Sequence, residues 1–174
     1  PDDVITKYGT DTFRMFEMFL GPIEASKPWN TQGIDGVSKF LRKFWNLFFD
    51  AEDNFIVTEE KATEGELKTL HTCIKKVNED IEKYSFNTCI SAFMIATNEL
   101  TAAKCHKEEI LVALVKLISP FAPHIAEELW HELGNETTIV KDVEFPKVEE
   151  RYLVKSAVLY PVSINGKMRV KIEL

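Results

Sequence analysis

Three cations recur on one side of a segment whose other side is apolar. They stand at positions i, i+3 and i+4, and they are Lys39, Arg42 and Lys43. At 100° per residue the apolar residues fall on the opposite side, namely Ile34, Val37, Phe40, Leu41, Phe44, Trp45 and Phe48. No acid lies between Asp35 and Asp50. The pattern predicts a helix with one buried face and one basic face, which either contacts phosphate anions or is simply solvated.

The overall charge limits what such a face can do. The chain has 174 residues and a net charge of −7, with 45% hydrophobic and 28% charged residues, as is ordinary for a globular protein. A chain of this balance is not expected to bind nucleic acid through its general surface. Any RNA contact must therefore be local. No apolar run approaches the roughly 18 residues that a membrane span requires, so we expect no membrane partner.

Catalytic and metal-binding patterns are absent from the sequence. There is no glycine-rich phosphate loop, no Gly-x-Ser-x-Gly and no His-Glu-x-x-His. The cysteines, Cys73, Cys89 and Cys105, are odd in number and include no Cys-x-x-Cys pair, which predicts buried thiols rather than disulfides or a metal site. Cys73 lies close to His71; this pair is either a thiol nucleophile or, as we favour, a core thiol beside a surface imidazole.

Two further positions allow a functional and a structural interpretation. Asp11 and Arg14 stand at i and i+3, so Arg14 either binds an anion or forms a helix ion pair with Asp11, which we favour. Trp29, which follows Pro28, either stacks on a base or anchors its loop to the protein. Anchoring is the commoner use of an aromatic ring in a turn, and we adopt it.

The periodicity of the chain predicts a mainly α fold, a helical bundle. The expected helices are residues 1–7, residues 11–20 (capped by Thr10), the basic helix described above (capped by Thr31), residues 63–83, a helix from Ser85 or Asn87 to Ala103, residues 107–118 and residues 121–133. Thr63 and Glu66 form a capping-box signature at the start of the longest one. Residues 51–62 are polar and acidic and are expected to form a loop.

After Ser156 the alternation changes to that of a short β-hairpin around Asn165 and Gly166. A two-residue loop would pair Val162 with Arg169, whereas a three-residue loop would pair Val162 with Met168. We favour the second register because it collects the apolar residues on one face. The opposite face would then carry a second, weaker basic patch formed by Lys167, Arg169 and Lys171.

Several segments resemble one family, and they stand in the same order along nearly the whole chain. Tyr8-Gly9-x-Asp11-x-x-Arg14 resembles the segment after the KMSKS loop of class I aminoacyl-tRNA synthetases. The narrower likeness is to leucyl-tRNA synthetases of the bacterial type, through Glu17-Met18-Phe19-Leu20-Gly21-Pro22, Ser26-Lys27-Pro28-Trp29 and the run Gly33-Ile34-Asp35-Gly36-Val37-x-Lys39-Phe40-Leu41-x-Lys43-Phe44-Trp45. Residues 120–130 resemble a segment shared with the isoleucine and valine enzymes, and residues 165–171 resemble the start of the leucine enzyme's C-terminal region.

The resemblance implies a fold and a role. The fold is the helical domain called anticodon-binding in class Ia synthetases, which in the bacterial leucine enzymes is expected to grip the tRNA body. The parent would join leucine to tRNA(Leu) with ATP and Mg²⁺. Its HIGH and KMSKS motifs are not in this sequence, so the chain alone is expected to be catalytically silent and to hold no cofactor. Lys39 and Lys43 match basic family positions that are often Arg, and a Lys there acts as a point charge.

These inferences predict an organisation in three parts. Residues 1–30 would connect to a catalytic domain and carry the first helices, residues 31–135 would form the tRNA-binding bundle, and residues 136–174 would form a linker and hairpin. Both ends look cut, which suggests a piece of a longer protein. The expected partners are tRNA(Leu) and the remaining domains of the synthetase, with the first two helices docked on the catalytic domain. We expect a cytoplasmic monomer.

The predicted nucleic-acid contacts are Lys39, Arg42, Lys43, Lys167, Arg169 and Lys171. Three other interpretations stay open from the residues. They are a protein–protein interaction bundle, a separate enzyme that uses cysteine and histidine, and the same domain of an isoleucyl- or valyl-tRNA synthetase.

Overall fold

The computed structural model describes residues 2–27, 30–153, 159–164 and 167–173, and helices dominate it. In chain order the elements are α1 (Asp2–Tyr8), α2 (Thr10–Phe19), α3 (Ile34–Trp45), α4 (Glu64–Glu82), α5 (Phe86–Ala102), α6 (Glu108–Ile118), α7 (Pro123–Glu132), α8 (Ile139–Asp142), a 3₁₀ turn (Glu150–Tyr152), β1 (Leu159–Ile164) and β2 (Lys167–Glu173). The predicted mainly α bundle with a short hairpin is confirmed. Among the described helices, none has the length and apolar character that a membrane span needs.

Helix α5 forms the centre of the bundle. It is apolar around most of its circumference, and its buried apolar side chains are Cys89, Ile90, Ala92, Phe93, Ala96 and Leu100. Helices α2, α3 and α4 pack directly against it, while α6 packs between α4 and α7. A helix that is apolar on several sides is stable only when neighbours cover those sides. The burial of α5 therefore sets the positions of the helices around it.

The predicted capping box at the start of α4 is confirmed. The Glu66 backbone N–H donates to Thr63 Oγ1 at 3.3 Å, and the Thr63 N–H donates to Glu66 Oε2 at 2.7 Å. Lys107, just before α6, donates from Nζ to the same Oε2 at 2.8 Å. Burial of Glu66 opposes its ionisation, but the Lys107 ammonium and the donors of Thr63 and Cys105 outweigh it and lower the Glu66 pKa to about 2. One carboxylate thus joins α4 to α6.

The starts of α2 and α3 differ from the prediction. Neither Thr10 nor Thr31 caps a helix. The cap positions are occupied by Gly9, with a φ of 85°, and by Gly33, with a φ of 97°, and neither helix has a side-chain cap. These left-handed conformations favour glycine because it lacks Cβ. The Thr31 carbonyl still accepts from the Ile34 N–H at 3.2 Å. A turn set by backbone conformation leaves no Ser or Thr signature, which is why the sequence pointed to the wrong residue.

A strap formed by residues 143–153 runs along α4 and was not predicted. His71 is the centre of its attachment: its Nδ1 accepts from the Glu149 N–H at 3.1 Å, and its ring stacks on Tyr152 with centroids 4.8 Å apart. Lys75 pairs with Glu150 at 3.1 Å, and Asn78 Nδ2 donates to the Pro146 carbonyl at 3.2 Å. The predicted surface imidazole is therefore wrong. His71 is only 5% exposed, and burial lowers its pKa.

The hairpin is present, but its predicted register is wrong. Ile164 pairs with Lys167, so two residues separate the strands rather than three. The register then shifts between Val162 and Ser163, and Val162 pairs with Val170. A β-bulge of this kind adds one residue on one strand and brings apolar positions opposite each other again. Simple counting from the loop does not include a bulge.

The first helices contribute to the core only in part. Met15 and Phe16 are buried, whereas Phe13 and Phe19 are half-buried, and α1 has no buried residue. Docking of these helices on another domain stays a prediction. The boundaries at residues 30 and 135 also stay predictions; the core itself includes Met15 and Phe16 before the first and Ile139 after the second.

Replacement of the buried carboxylate tests how strongly it joins the helices. Because the Glu66 pKa is lowered in the fold from 4.5 to about 2, ionised Glu66 stabilises the fold above pH 4.5 and loses this effect as the pH falls toward 2. We expect Glu66→Gln to reduce the free energy of unfolding by about 3 kcal/mol at pH 7. Urea unfolding between pH 7 and pH 3 measures it.

The difference between the Glu66→Gln variant and the wild type should shrink below pH 4.5, because Glu66 of the unfolded chain then takes up a proton while Glu66 of the folded chain stays ionised down to about pH 2. Glu64→Gln is the matched control: Glu64 is an exposed acid in the same first helical turn. A difference that stays constant down to pH 3 would contradict the assigned role of Glu66.

Candidate nucleic-acid interface

The structure places the three cations of α3 as the sequence predicts. Lys39 and Arg42 are exposed, and Lys43 is half-buried. The opposite side of the helix is in the core, where Ile34, Val37 and Phe44 are at most 1% exposed. Since this burial prevents rotation of α3 about its axis, the direction of the basic face is fixed by the bundle.

The position of the cations along α3 also stabilises their positive charge. Arg42 and Lys43 lie in the last helical turn, where the negative end of the helix dipole favours positive charge. Lys39 is one turn earlier. At a rise of 1.5 Å per residue, the three cations are spread over about 6 Å measured along the helix axis. Asp35 in the first turn and Asp50 beyond the helix limit the basic face at its two ends.

Lys43 has a partner that sequence reasoning missed. Its Nζ donates to Oδ1 of Asn98 at 2.6 Å, which joins α3 to the exposed side of α5. The partners are 55 residues apart. Asn98 is a neutral residue on a mostly apolar helix, so no charge pattern marked it. Only the packing of α3 on α5 brings the two side chains together.

The second predicted basic patch stays a prediction. The backbone of β2 pairs Lys167 with Ile164 and Lys171 with Pro161, and the pairing skips Arg169 at the register shift. The common face for these cations was predicted from the register of a three-residue loop, which differs from this pairing. The side chains of all three lie outside the described residues, as do Pro28 and Trp29.

Asp11 and Arg14 do not form the intrahelical ion pair that we favoured. Asp11 instead caps α7: its carboxylate accepts from the backbone N–H groups of His124 at 3.4 Å and Ile125 at 2.7 Å, and it contacts His124 Nδ1 at 2.8 Å. Arg14 donates from Nη2 to the Pro120 carbonyl at 3.2 Å. The Asp11 carboxylate reaches the start of α7 because a free helix N-terminus attracts a carboxylate more strongly than an exposed cation does, while Arg14 reaches the turn just before α7.

The cysteines are buried thiols, as predicted. Burial raises the pKa of Cys73 to about 12 and the pKa values of Cys89 and Cys105 to about 11. All three are free of disulfides. Within the described ranges no group of three or more His, Cys, Asp or Glu residues is arranged to hold a metal ion. A thiol nucleophile is disfavoured, since the thiolate is the reactive form.

Comparison with known proteins now decides the family. Residues 66–174 match a sequence-family model described as the anticodon-binding domain of tRNA ligase. The chain belongs to this family. The matched range begins at the third residue of α4 and covers everything after it, so the basic face on α3 precedes the part that defines this anticodon-binding domain.

Curated relatives extend the likeness to α3. Over all 174 residues the chain is 58% identical to leucine–tRNA ligase of Parabacteroides distasonis, 58% identical to that of Christiangramia forsetii and 59% identical to that of Porphyromonas gingivalis. The chain spans 18%, 18% and 19% of these relatives. The predicted likeness to bacterial leucine enzymes is confirmed, and the isoleucine or valine alternative is not favoured.

A solved structure shows the same fold. The match is the leucyl-tRNA synthetase of Agrobacterium radiobacter K84 in a ternary complex with tRNA and LeuAMS, at a TM-score of 0.75 and 28% identity. It covers 100% of this chain and 24% of the other. The anticodon-binding domain described above is thus built like part of a much longer synthetase.

Thiol reactivity tests the alternative of a cysteine enzyme. Because burial raises all three thiol pKa values, we expect the native domain to react with a disulfide reagent at pH 8 about 100-fold more slowly than the unfolded chain. In denaturant all three thiols should react. Rapid and selective labelling of one cysteine in the native domain would contradict this expectation and favour a nucleophilic role.

Proposed function

We propose that this domain is the tRNA-binding part of a leucine–tRNA ligase and that it holds tRNA(Leu) while another domain attaches leucine. The observation that carries the proposal is the basic face of α3, a group of two exposed cations and one half-buried cation on a chain of net charge −7. The names of the relatives support the choice of ligase, and the solved synthetase complex with tRNA supports the choice of partner.

In this proposal Lys39, Arg42 and Lys43 contact phosphates of the RNA backbone. Such contacts position a nucleic acid without reading its sequence. Arg42 offers a planar fork that can make two parallel bonds to one phosphate, whereas each lysine acts as a compact charge. The helix needs no rearrangement to bind, because its apolar face already anchors it in the core.

The short length of the basic face limits its affinity for RNA. Three cations within about 6 Å meet only two or three phosphates, so the slope of log K against log salt concentration should be about −2 to −3. This contact alone gives weak binding. It fits a domain that orients a tRNA held at several other points of a larger protein.

The remaining steps belong to the rest of the parent. ATP and Mg²⁺ would be bound by the catalytic domain, since this chain has neither of the sequence motifs for that chemistry and is proposed to be inactive alone. The first two helices would dock on that domain through side chains such as Phe13 and Phe19, which the bundle leaves half-buried. The parent would act as a cytoplasmic monomer.

The comparisons do not favour the alternative of a protein-interaction module, although one surface feature would suit it. A largely apolar cavity of about 730 Å³ lies between α2, α4, α5 and the strap, with Met18, Ile81, Phe86 and Phe145 among its lining residues. Tyr84, at the turn beside it, is 66% exposed. Self-association of the domain without affinity for RNA would favour this alternative.

A charge-reversal titration tests the tRNA proposal. We expect the domain to bind tRNA(Leu) in a salt-sensitive manner, and the Lys39→Glu/Lys43→Glu variant to bind at least about tenfold more weakly, with a salt slope reduced by about two. The affinity is measured by fluorescence anisotropy at 50 mM and 150 mM salt. An unrelated tRNA should bind equally well, because phosphate contacts do not read sequence.

The matched control is Lys68→Glu/Lys83→Glu, which changes the net charge equally at exposed positions at the two ends of α4. It should retain most of the affinity. If the two double variants lose affinity equally, the contact is not localised on α3. If the folded domain binds no tRNA at all, the basic face is not an independent RNA site and the proposal fails.

A further inference from the structure

We infer that Lys43 and Asn98 act together as a two-donor site for one RNA phosphate, in which Asn98 both positions the lysine and donates to the phosphate. The inference rests on the proposed tRNA contact and adds a residue to it. Its starting point is the 2.6 Å hydrogen bond from Lys43 Nζ to Asn98 Oδ1, which joins two helices at an exposed site.

The chemistry of the two side chains leaves donors available on both. An ammonium has three N–H donors, and one of them is used by Asn98. The asparagine amide uses its oxygen for this contact, and its –NH₂ group carries two more donors on the same carbon. Within the described ranges the structure gives no hydrogen bond from Asn98 Nδ2. The Lys43 ammonium and the Asn98 –NH₂ group therefore lie side by side, and both can donate to the same anion.

A neutral partner preserves the charge of Lys43. A carboxylate in place of the amide would neutralise the ammonium and repel a phosphate. The amide oxygen holds the ammonium without cancelling its charge, and it restricts a side chain whose rotamer entropy is about 2 kcal/mol. Part of the ordering that binding requires is thus completed before the RNA arrives.

The neighbours of Asn98 on α5 place no carboxylate on Lys43 among the described contacts. Glu99, the next residue on α5, is held toward α4, where its Oε2 accepts from Thr69 Oγ1 at 2.7 Å. One turn before Asn98 the outward residue is Ile95, which is 58% exposed and uncharged. The position beside Lys43 thus has two donor groups, and none of the described salt bridges involves Lys43, although the chain as a whole is acidic.

The other interpretation is that Asn98 only ties α3 to α5. The two interpretations differ for Asn98→Ala. A purely structural tie predicts a loss of stability with unchanged affinity for tRNA. The two-donor site predicts that affinity falls about fivefold. The salt slope should stay the same, because the amide is neutral and displaces no counterion.

The experiment is a double-mutant cycle on the 174-residue domain with tRNA(Leu), using Lys43→Ala, Asn98→Ala and the double variant. Lys43→Ala should weaken binding and reduce the salt slope by about one. In that background Asn98→Ala should cost clearly less than fivefold, since each residue depends on the other. Thermal unfolding of every variant shows that each is folded at the assay temperature.

A second variant separates an effect on tRNA affinity from an effect on the stability of the domain. Asn98→Asp keeps an acceptor for Lys43, so we expect the domain to unfold at the same temperature or higher, while tRNA affinity falls at least about tenfold. The control is Thr72→Asp, which adds one charge at an exposed site on α4 and should bind within about twofold of the wild type.

The outcomes separate this inference from the proposed function. If Lys39→Glu/Lys43→Glu abolishes binding but Asn98→Ala binds as the wild type does, the α3 contact stands and the role of Asn98 is overturned. If the effects of Lys43→Ala and Asn98→Ala are simply additive, the two residues do not form one site. If charge reversal on α3 has no effect, the proposed function and the inference fail together.

Discussion

The burial of α5 on several sides is the constraint on which the rest of the structure depends. Helices α2, α3 and α4 pack against it, and each must turn its own apolar stripe inward to do so. For α3 this leaves no choice of direction. A rotation by one residue, about 100°, would expose Phe44 or Phe40 and bring a lysine toward the core, where an unpaired charge is costly. The position of the cations is therefore a consequence of hydrophobic packing, although packing itself involves no charge.

Buried polar contacts then fix the ends of the helices. Glu66 joins the start of α4 to Lys107 before α6, and Asp11 of α2 caps α7. No described side-chain N or O atom that is fully buried lacks a hydrogen-bond partner. Each such contact contributes little net stability, but leaving one member unpaired is costly. Polar pairing thus selects one arrangement among the several that apolar packing alone would permit. The strap uses the same principle, since a buried His71 accepts a backbone N–H of the chain that crosses it.

The sequence predicted those features that depend on local periodicity, and it missed those that depend on distant partners. The amphipathic pattern of α3 and the Thr63–Glu66 capping box were correct because neighbours three or four residues apart determine them. The cap at Gly33 was missed because a left-handed glycine has no side-chain signature, and the hairpin register was wrong because a bulge is not visible in simple alternation. His71 was taken for a surface residue because the strap that covers it begins some seventy residues later. Asn98 was missed for the same reason, since its importance comes only from its position beside Lys43.

The electrostatics of the domain make the neutral character of Asn98 significant. At about 0.1 M salt the Debye length is about 10 Å, so acids elsewhere on the surface are largely screened from a phosphate that contacts α3. A side chain that touches Lys43 is not screened in this way. An acid at position 98 would oppose binding at every salt concentration, whereas the distant acids oppose it only at low salt. An acidic chain can therefore contact RNA through a few cations, provided that the polar groups in direct contact with them are neutral donors and acceptors. The amide of Asn98 beside Lys43, with Glu99 held toward Thr69, satisfies this requirement.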